Sequence, residues 1–155
     1  MTSARGWALR WLSQRNLSAA ELEQRLLAKG FDPDEVKTVI DDLLEHGWIN
    51  EHAVYDAVIR QGLAHHAGPR KIAARLQRRR LDQEWVARFR QTESREVDWQ
   101  EIAEALLRRY DKDDPRERAR LLRRLVREGF PRAVIARISE SWDDAQATAD
   151  HWEND

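Results

Sequence analysis

The feature that most constrains this chain is an internal repeat. Leu22, Leu26, Phe31, Val36 and Val39 map by a shift of 50 onto Ile72, Leu76, Leu81, Val86 and Phe89. A further shift of 49 gives Leu121, Leu125, Phe130, Ile135 and Ile138. All fifteen positions are apolar in a chain where 41% of residues are, so chance is a poor explanation. Repetition at such a period signals an array whose units bury their faces against their neighbours.

The spacing within each unit is helical. Ala8, Leu9, Trp11 and Leu12 lie on one face of a first helix that ends near Asn16. Ser18 and Glu21 form a capping box for a second, which Gly30 stops. Asp32-Pro33 supplies an N-cap and a first-turn proline for a third, ending at Gly47. Asn50, Gly68-Pro69 and Asp82 start the next three helices; Asp98, Asp114-Pro115 and Pro131 start the last three. The chain is therefore expected to be all-α, with about nine helices in three tandem three-helix repeats and an elongated, solenoid-like outline. The expected boundaries are an acidic repeat 1–49, repeats with basic central helices at 50–97 and 98–142, and an acidic tail 143–155. The abundance of Ala, Leu, Glu, Arg and Gln agrees with the helical reading.

Several functions are excluded or made poor bets. With no Cys there is no disulfide framework, thiol catalysis or thiolate metal site. No apolar run reaches the roughly 18 residues of a membrane span, and the first residues lack a secretory pattern, so a cytoplasmic location and no membrane partner are expected. His46, His52, His65, His66 and His151 lack metal-ligand spacing. There is no Gly-rich phosphate loop and no GxSxG. No enzyme activity, cofactor or metal is expected.

The net charge of −1 conceals a division along the chain. Residues 17–56 carry ten acids against three bases, while residues 57–81 carry seven bases and no acid. Residues 115–137 carry eight Arg against two Glu, and residues 138–155 carry six acids without Lys or Arg. Such segregation suits an anionic partner for the basic parts.

On a helical wheel, Lys71, Arg75 and Arg78 fall within about 60° of one another, beside Arg79 and away from Ile72 and Leu76. Arg116, Arg120, Arg123 and Arg127 likewise fall within about 60°, opposite Leu121 and Leu125. A solvated face would normally alternate sign along i,i+4. Here Lys71–Arg75, Arg75–Arg79, Arg116–Arg120, Arg120–Arg124 and Arg123–Arg127 are like-charge pairs, each costing roughly 0.2–0.5 kcal/mol in an isolated helix. An external anion or acidic protein surface is the leading expectation. The acidic first unit or the acidic tail is the alternative partner.

Seven Trp are many. Trp11, Trp48 and Trp85 sit at helix-face or joint positions and are expected in the core. Trp142 and Trp152 flank the acidic end, where a docking patch and packing back on the body are both open.

The sequence resembles the RecX family, bacterial regulators of the RecA recombinase. The likeness is carried by Leu17-Ser18 to Lys29-Gly30, by the joint Gly47-Trp48-Ile49-Asn50-Glu51, and by Gly68-Pro69-Arg70-Lys71-Ile72 with Leu76. It covers about residues 7–142. The chain departs from the family pattern at Val54-Tyr55-Asp56, where Phe or Tyr followed by Ala is usual, and at Arg79-Arg80, where the family has Lys-Gly. The resemblance implies a non-enzymatic, monomeric modulator that binds RecA filaments on single- or double-stranded DNA. It implies restraint of filament growth, ATP hydrolysis, strand exchange and co-protease activity, and hence a part in homologous recombination, DNA repair and the SOS response. The residues expected to meet the partner are Arg70, Lys71, Arg75, Arg78 and Arg79, then Arg116, Arg120, Arg123 and Arg127. A filament-independent nucleic-acid-binding protein and a protein-only adaptor are the rival readings.

Overall fold

A computed structural model describes the backbone of residues 1–152 and the side chains of residues 1–145. Among the described residues there are ten helices and no strand. They are α1 (Ala4–Gln14), α2 (Ala19–Ala28), α3 (Pro33–Glu45), α4 (Glu51–Ala64) and α5 (Pro69–Arg78). Then follow α6 (Gln83–Gln91), α7 (Glu93–Glu96), α8 (Trp99–Leu107), α9 (Pro115–Arg127) and α10 (Arg132–Trp152). The fold is all-α with three three-helix units, and α7 is an extra single turn. Thr92 to Glu96 has no apolar period, so nothing in the sequence marks that turn.

The helix signals act as their chemistry requires. The Ser18 hydroxyl accepts from the Glu21 N–H at 3.1 Å, while the Glu21 carboxylate accepts from the Ser18 N–H at 2.9 Å. Asp32, Asp98 and Asp114 accept from first-turn N–H groups of α3, α8 and α9. Asn50 does the same for α4, and Asp82 for α6. Gly30 (φ 94°), Gly47 (φ 75°) and Gly129 (φ 78°) follow α2, α3 and α9 in left-handed turns. At the corresponding position after α5 the chain has no glycine, yet the backbone turns the same way: Arg80 stands at φ 56°. The repeated fold imposes the turn on a residue that disfavours it.

Of the fifteen repeat positions, twelve are buried and the other three, Phe31, Val39 and Ile135, are half-buried. The periodicity thus reports the core. The chain divides into two compact units, one of Met1–Arg60 with Arg75–Arg88, the other of Gln61–Ala74 with the chain from Phe89 onward. The division falls inside α4, α5 and α6. In the first unit Leu17, Leu22, Leu26, Val36, Ile40, Leu43 and Ile49 close a core over Ala4 and Ala8. Beside them Tyr55 and Trp85 pack with ring centroids 4.9 Å apart. In the second unit Ala103, Leu106, Leu121, Leu125, Phe130, Val134 and Ile138 form the core, and Trp142 packs into it at 7% exposure. Trp142 therefore serves packing, while the Trp152 side chain lies outside the described residues. Trp48 departs from expectation: it is 57% exposed and Ile49 is buried in its place. The turn at Gly47 brings the Ile49 N–H to the Leu43 carbonyl (3.3 Å), which draws Ile49 inward.

Candidate partner-binding surface

The two basic helices bury the same kind of stripe and expose different chemistry. On α5, Ile72, Ala73 and Leu76 are buried, and the cations flank them. Gly68-Pro69 positions the start of this helix in the second unit by a close backbone approach. The Gly68 N–H donates to the Glu128 carbonyl (2.6 Å) and the Arg70 N–H to the Gly129 carbonyl (3.1 Å). The leading N–H groups of α5 therefore meet carbonyls at the C-terminal end of α9, a favourable meeting of opposite dipole ends. A Cβ on Gly68 would lie 2.5 Å from the Gly129 carbonyl carbon, and one on Gly129 2.5 Å from the Lys71 nitrogen. Only glycine fits at either place.

This joint also decides the fate of Lys71. Its Nζ lies 2.9 Å from the Glu128 carboxylate, with the two side chains 33% and 15% exposed. Arg79 is held more firmly, in the first unit. Its guanidinium donates to the Glu21 carboxylate at 3.1–3.3 Å and to the Asn16 carbonyl at 2.9 Å. The buried Ser18 hydroxyl in turn donates to the Arg79 carbonyl at 2.8 Å. Arg15 adds a second cation 3.7 Å from Glu21. The like-charge repulsion of Arg75 and Arg79 is thus offset by a carboxylate from α2 that also caps its own helix. Arg79 is a structural staple. Arg70 and Arg78 remain exposed and Arg75 half-buried, with no carboxylate within ion-pair distance among the described residues.

On α9, Leu121 and Leu125 are buried, and Arg116, Arg120, Arg123 and Arg127 are all exposed. Arg120 reaches Glu117 at 3.2 Å and lies 5.9 Å from the Tyr110 ring centroid, although it is 63% exposed. Among the described residues no carboxylate pairs with Arg116, Arg123 or Arg127. Two further arginines of α9 fall off the stripe and anchor the helix. Arg124 donates to the Tyr110 hydroxyl at 3.2 Å, and Arg118 lies over the Trp142 ring at 5.6 Å from its centroid. The sequence pattern does not disclose these duties, because Tyr110 and Trp142 meet α9 only through the fold.

Glu51, in the joint after Gly47, has its carboxyl raised above the ordinary 4.5, mainly by burial. From the first turn of α4 its carboxylate reaches the start of α2, where it accepts from the Ala19 N–H at 3.4 Å. Among the described residues no group of three or more potential ligands could hold a metal, and no helix is long and apolar enough to cross a membrane.

Comparison with known proteins places this arrangement. The family model described as the RecX first three-helix domain matches residues 4–43. The regulatory protein RecX of Chromohalobacter salexigens is 34% identical over 143 residues, covering 90% of this chain and 93% of that protein. The chain belongs to the RecX family. RecX of Halorhodospira halophila is 33% identical over 132 residues, with 83% of this chain and 81% of that protein covered. The crystal structure of RecX from Lactobacillus salivarius shares the fold at a TM-score of 0.70 and 23% identity, covering 90% of this chain and 94% of that one. The RecX likeness thus extends well beyond the first repeat, through the joint at Gly68 and the basic helix α9.

Proposed function

We propose that this chain restrains RecA-type recombinase filaments on DNA, limiting filament growth and with it ATP hydrolysis, strand exchange and co-protease activity. On this reading it modulates homologous recombination, DNA repair and the SOS response in the cytoplasm, acting as a monomer and without catalysis of its own. Membership of the RecX family supports the reading. The observation that carries it on this chain is the face of α9, where Arg116, Arg123 and Arg127 stand exposed without a carboxylate partner among the described residues. Such a face suits phosphates or an acidic protein surface, and it attracts either over a Debye length. Arg120, Arg70, Arg75 and Arg78 extend the set, with Lys71 held to Glu128. Arg79 is assigned to the fold rather than to the partner. The domain division proposed with this reading is three three-helix repeats, 1–49, 50–97 and 98–142, followed by an acidic tail, 143–155.

The test is the single-strand-DNA-dependent ATPase of the host recombinase, with this protein added well below one copy per recombinase monomer. Loss of activity at such ratios is expected, because sequestering DNA or monomers cannot produce it. Inhibition that sets in only when the protein is abundant enough to coat the DNA would point instead to filament-independent nucleic-acid binding. No effect at any ratio would contradict both.

A further inference from the structure

The first compact unit carries an aromatic and cationic surface made of residues that belong to neither basic stripe. On α1, Trp7 and Trp11 are one turn apart and flank the buried Ala4 and Ala8; their ring centroids lie 5.6 Å apart at a tilt of 32°. Cations from two helices sit over these rings. The Lys29 ammonium stands 3.9 Å from the Trp7 centroid, the Arg10 guanidinium 5.5 Å from the same ring, and the Arg25 guanidinium 5.6 Å from that of Trp11. Arg10, Arg25 and Lys29 are exposed, and among the described residues none has a carboxylate within ion-pair distance. A cleft of about 360 Å³ opens beside Trp7, lined by Met1, Thr2, Trp7, Lys29, Gly30 and Phe31.

We infer that this surface binds single-stranded nucleic acid by stacking a base on Trp7, with Lys29, Arg10 and Arg25 facing the flanking phosphates. The observations favour this ligand for two reasons. Trp7 and Trp11 are half-buried, each packing against the core, and indole rings interleaved with cations are the combination that holds a single strand, since every base has a flat π-face and every linkage a charge. Residues 1–16 also carry three Arg and no acid; Arg5 pairs with Asp42 and Arg15 lies 3.7 Å from Glu21, so the positive charge left to meet a ligand here is that of Arg10, Arg25 and Lys29, gathered on the two indole rings. The place a base would take on Trp7 is filled by the Lys29 ammonium on a flexible four-carbon stem. An exposed cation–π contact is weaker than a stacked base. Lys29 can therefore yield the ring to a base and turn its charge to the adjoining phosphate. An acidic peptide would use the cations and leave the rings idle.

The experiment needs no recombinase, so its outcome is separable from that of the filament reading. Binding of the full chain to a labelled oligothymidylate is compared with binding to an abasic oligonucleotide of the same length and charge. The expected result is a preference for the bases of about fivefold or more per stacked base. Trp7→Leu should abolish that preference while weaker backbone binding and helical content persist, and Trp7→Phe should retain most of it. Photocrosslinking of a 5-iodouracil strand to the unaltered protein, mapped by mass spectrometry, should label the peptide containing Trp7 and Trp11; this arm decides even if Trp7→Leu fails to fold. Equal binding of the two oligonucleotides would overturn the inference and leave an acidic partner or plain charge. So would crosslinks confined to other segments, or no binding at all.

Discussion

α5 and α9 present the same pattern in sequence, a row of like charges opposite two buried aliphatic residues, and the structure puts them to different uses. The charges at 71, on α5, and at 79, just past its end, are taken up by the protein's own carboxylates, Glu128 and Glu21. On α9 the stripe stays in water, and the arginines that do internal work, 118 and 124, lie off it. A charge row on a helix thus says where cations stand and leaves open what they hold. The decisive information is long-range: Glu21 and Arg79 are 58 residues apart, and Lys71 and Glu128 are 57 apart.

The largest cost is expected at the joint that sets Lys71 against Glu128. Gly129→Ala places a Cβ 2.5 Å from the Lys71 backbone nitrogen at a φ of 78°, so a loss of about 3 kcal/mol is expected in chemical denaturation. Next in size is Arg79→Ala. It leaves the Glu21 carboxylate, 13% exposed, without its main cation, and a loss of about 2 kcal/mol is expected. By contrast Arg116→Ala, Arg123→Ala and Arg127→Ala should each change stability by about 0.5 kcal/mol or less. Equal costs on the two helices would erase the distinction between them.

Arg80→Gly relieves a left-handed turn and should stabilise the chain by roughly 0.5–1 kcal/mol, measured as a raised denaturation midpoint. Glu51→Gln bears on pH. Because burial raises the Glu51 carboxyl, the native state binds its proton more tightly than the unfolded chain does. The stability this group contributes is therefore present below the ordinary value of 4.5 and is lost as the pH rises from there through the folded value. Followed upward from pH 4, the denaturation midpoint of the unaltered protein should decline relative to that of Glu51→Gln.

How far the sequence discloses the fold follows from the range of each signal. Ser18 with Glu21, Asp32-Pro33 and Asp114-Pro115 act within four residues, so the helix starts are legible. The fifteen-position repeat is legible because periodic burial repeats. Trp48 misleads, since at a joint either neighbour of a turn can face inward, and the Gly47 turn selects Ile49. Within the candidate site, Arg116, Arg123 and Arg127 stand as the wheel places them. Arg79 does not, because its partners Asn16 and Glu21 are brought to it by packing. The surface of Trp7 and Lys29 leaves no sequence signal either: the two residues lie 22 positions apart and meet only because α1 packs against α2.

The measurement that bears most directly on this account is the substoichiometric ATPase inhibition repeated with two altered proteins. One is the triple variant Arg116→Ala, Arg123→Ala, Arg127→Ala; the other is Lys71→Ala. The triple variant should keep its helical content and denaturation midpoint but lose inhibition at low ratios, while Lys71→Ala should inhibit nearly as well as the unaltered chain. A folded triple variant that inhibits normally would contradict the proposed role of the α9 face.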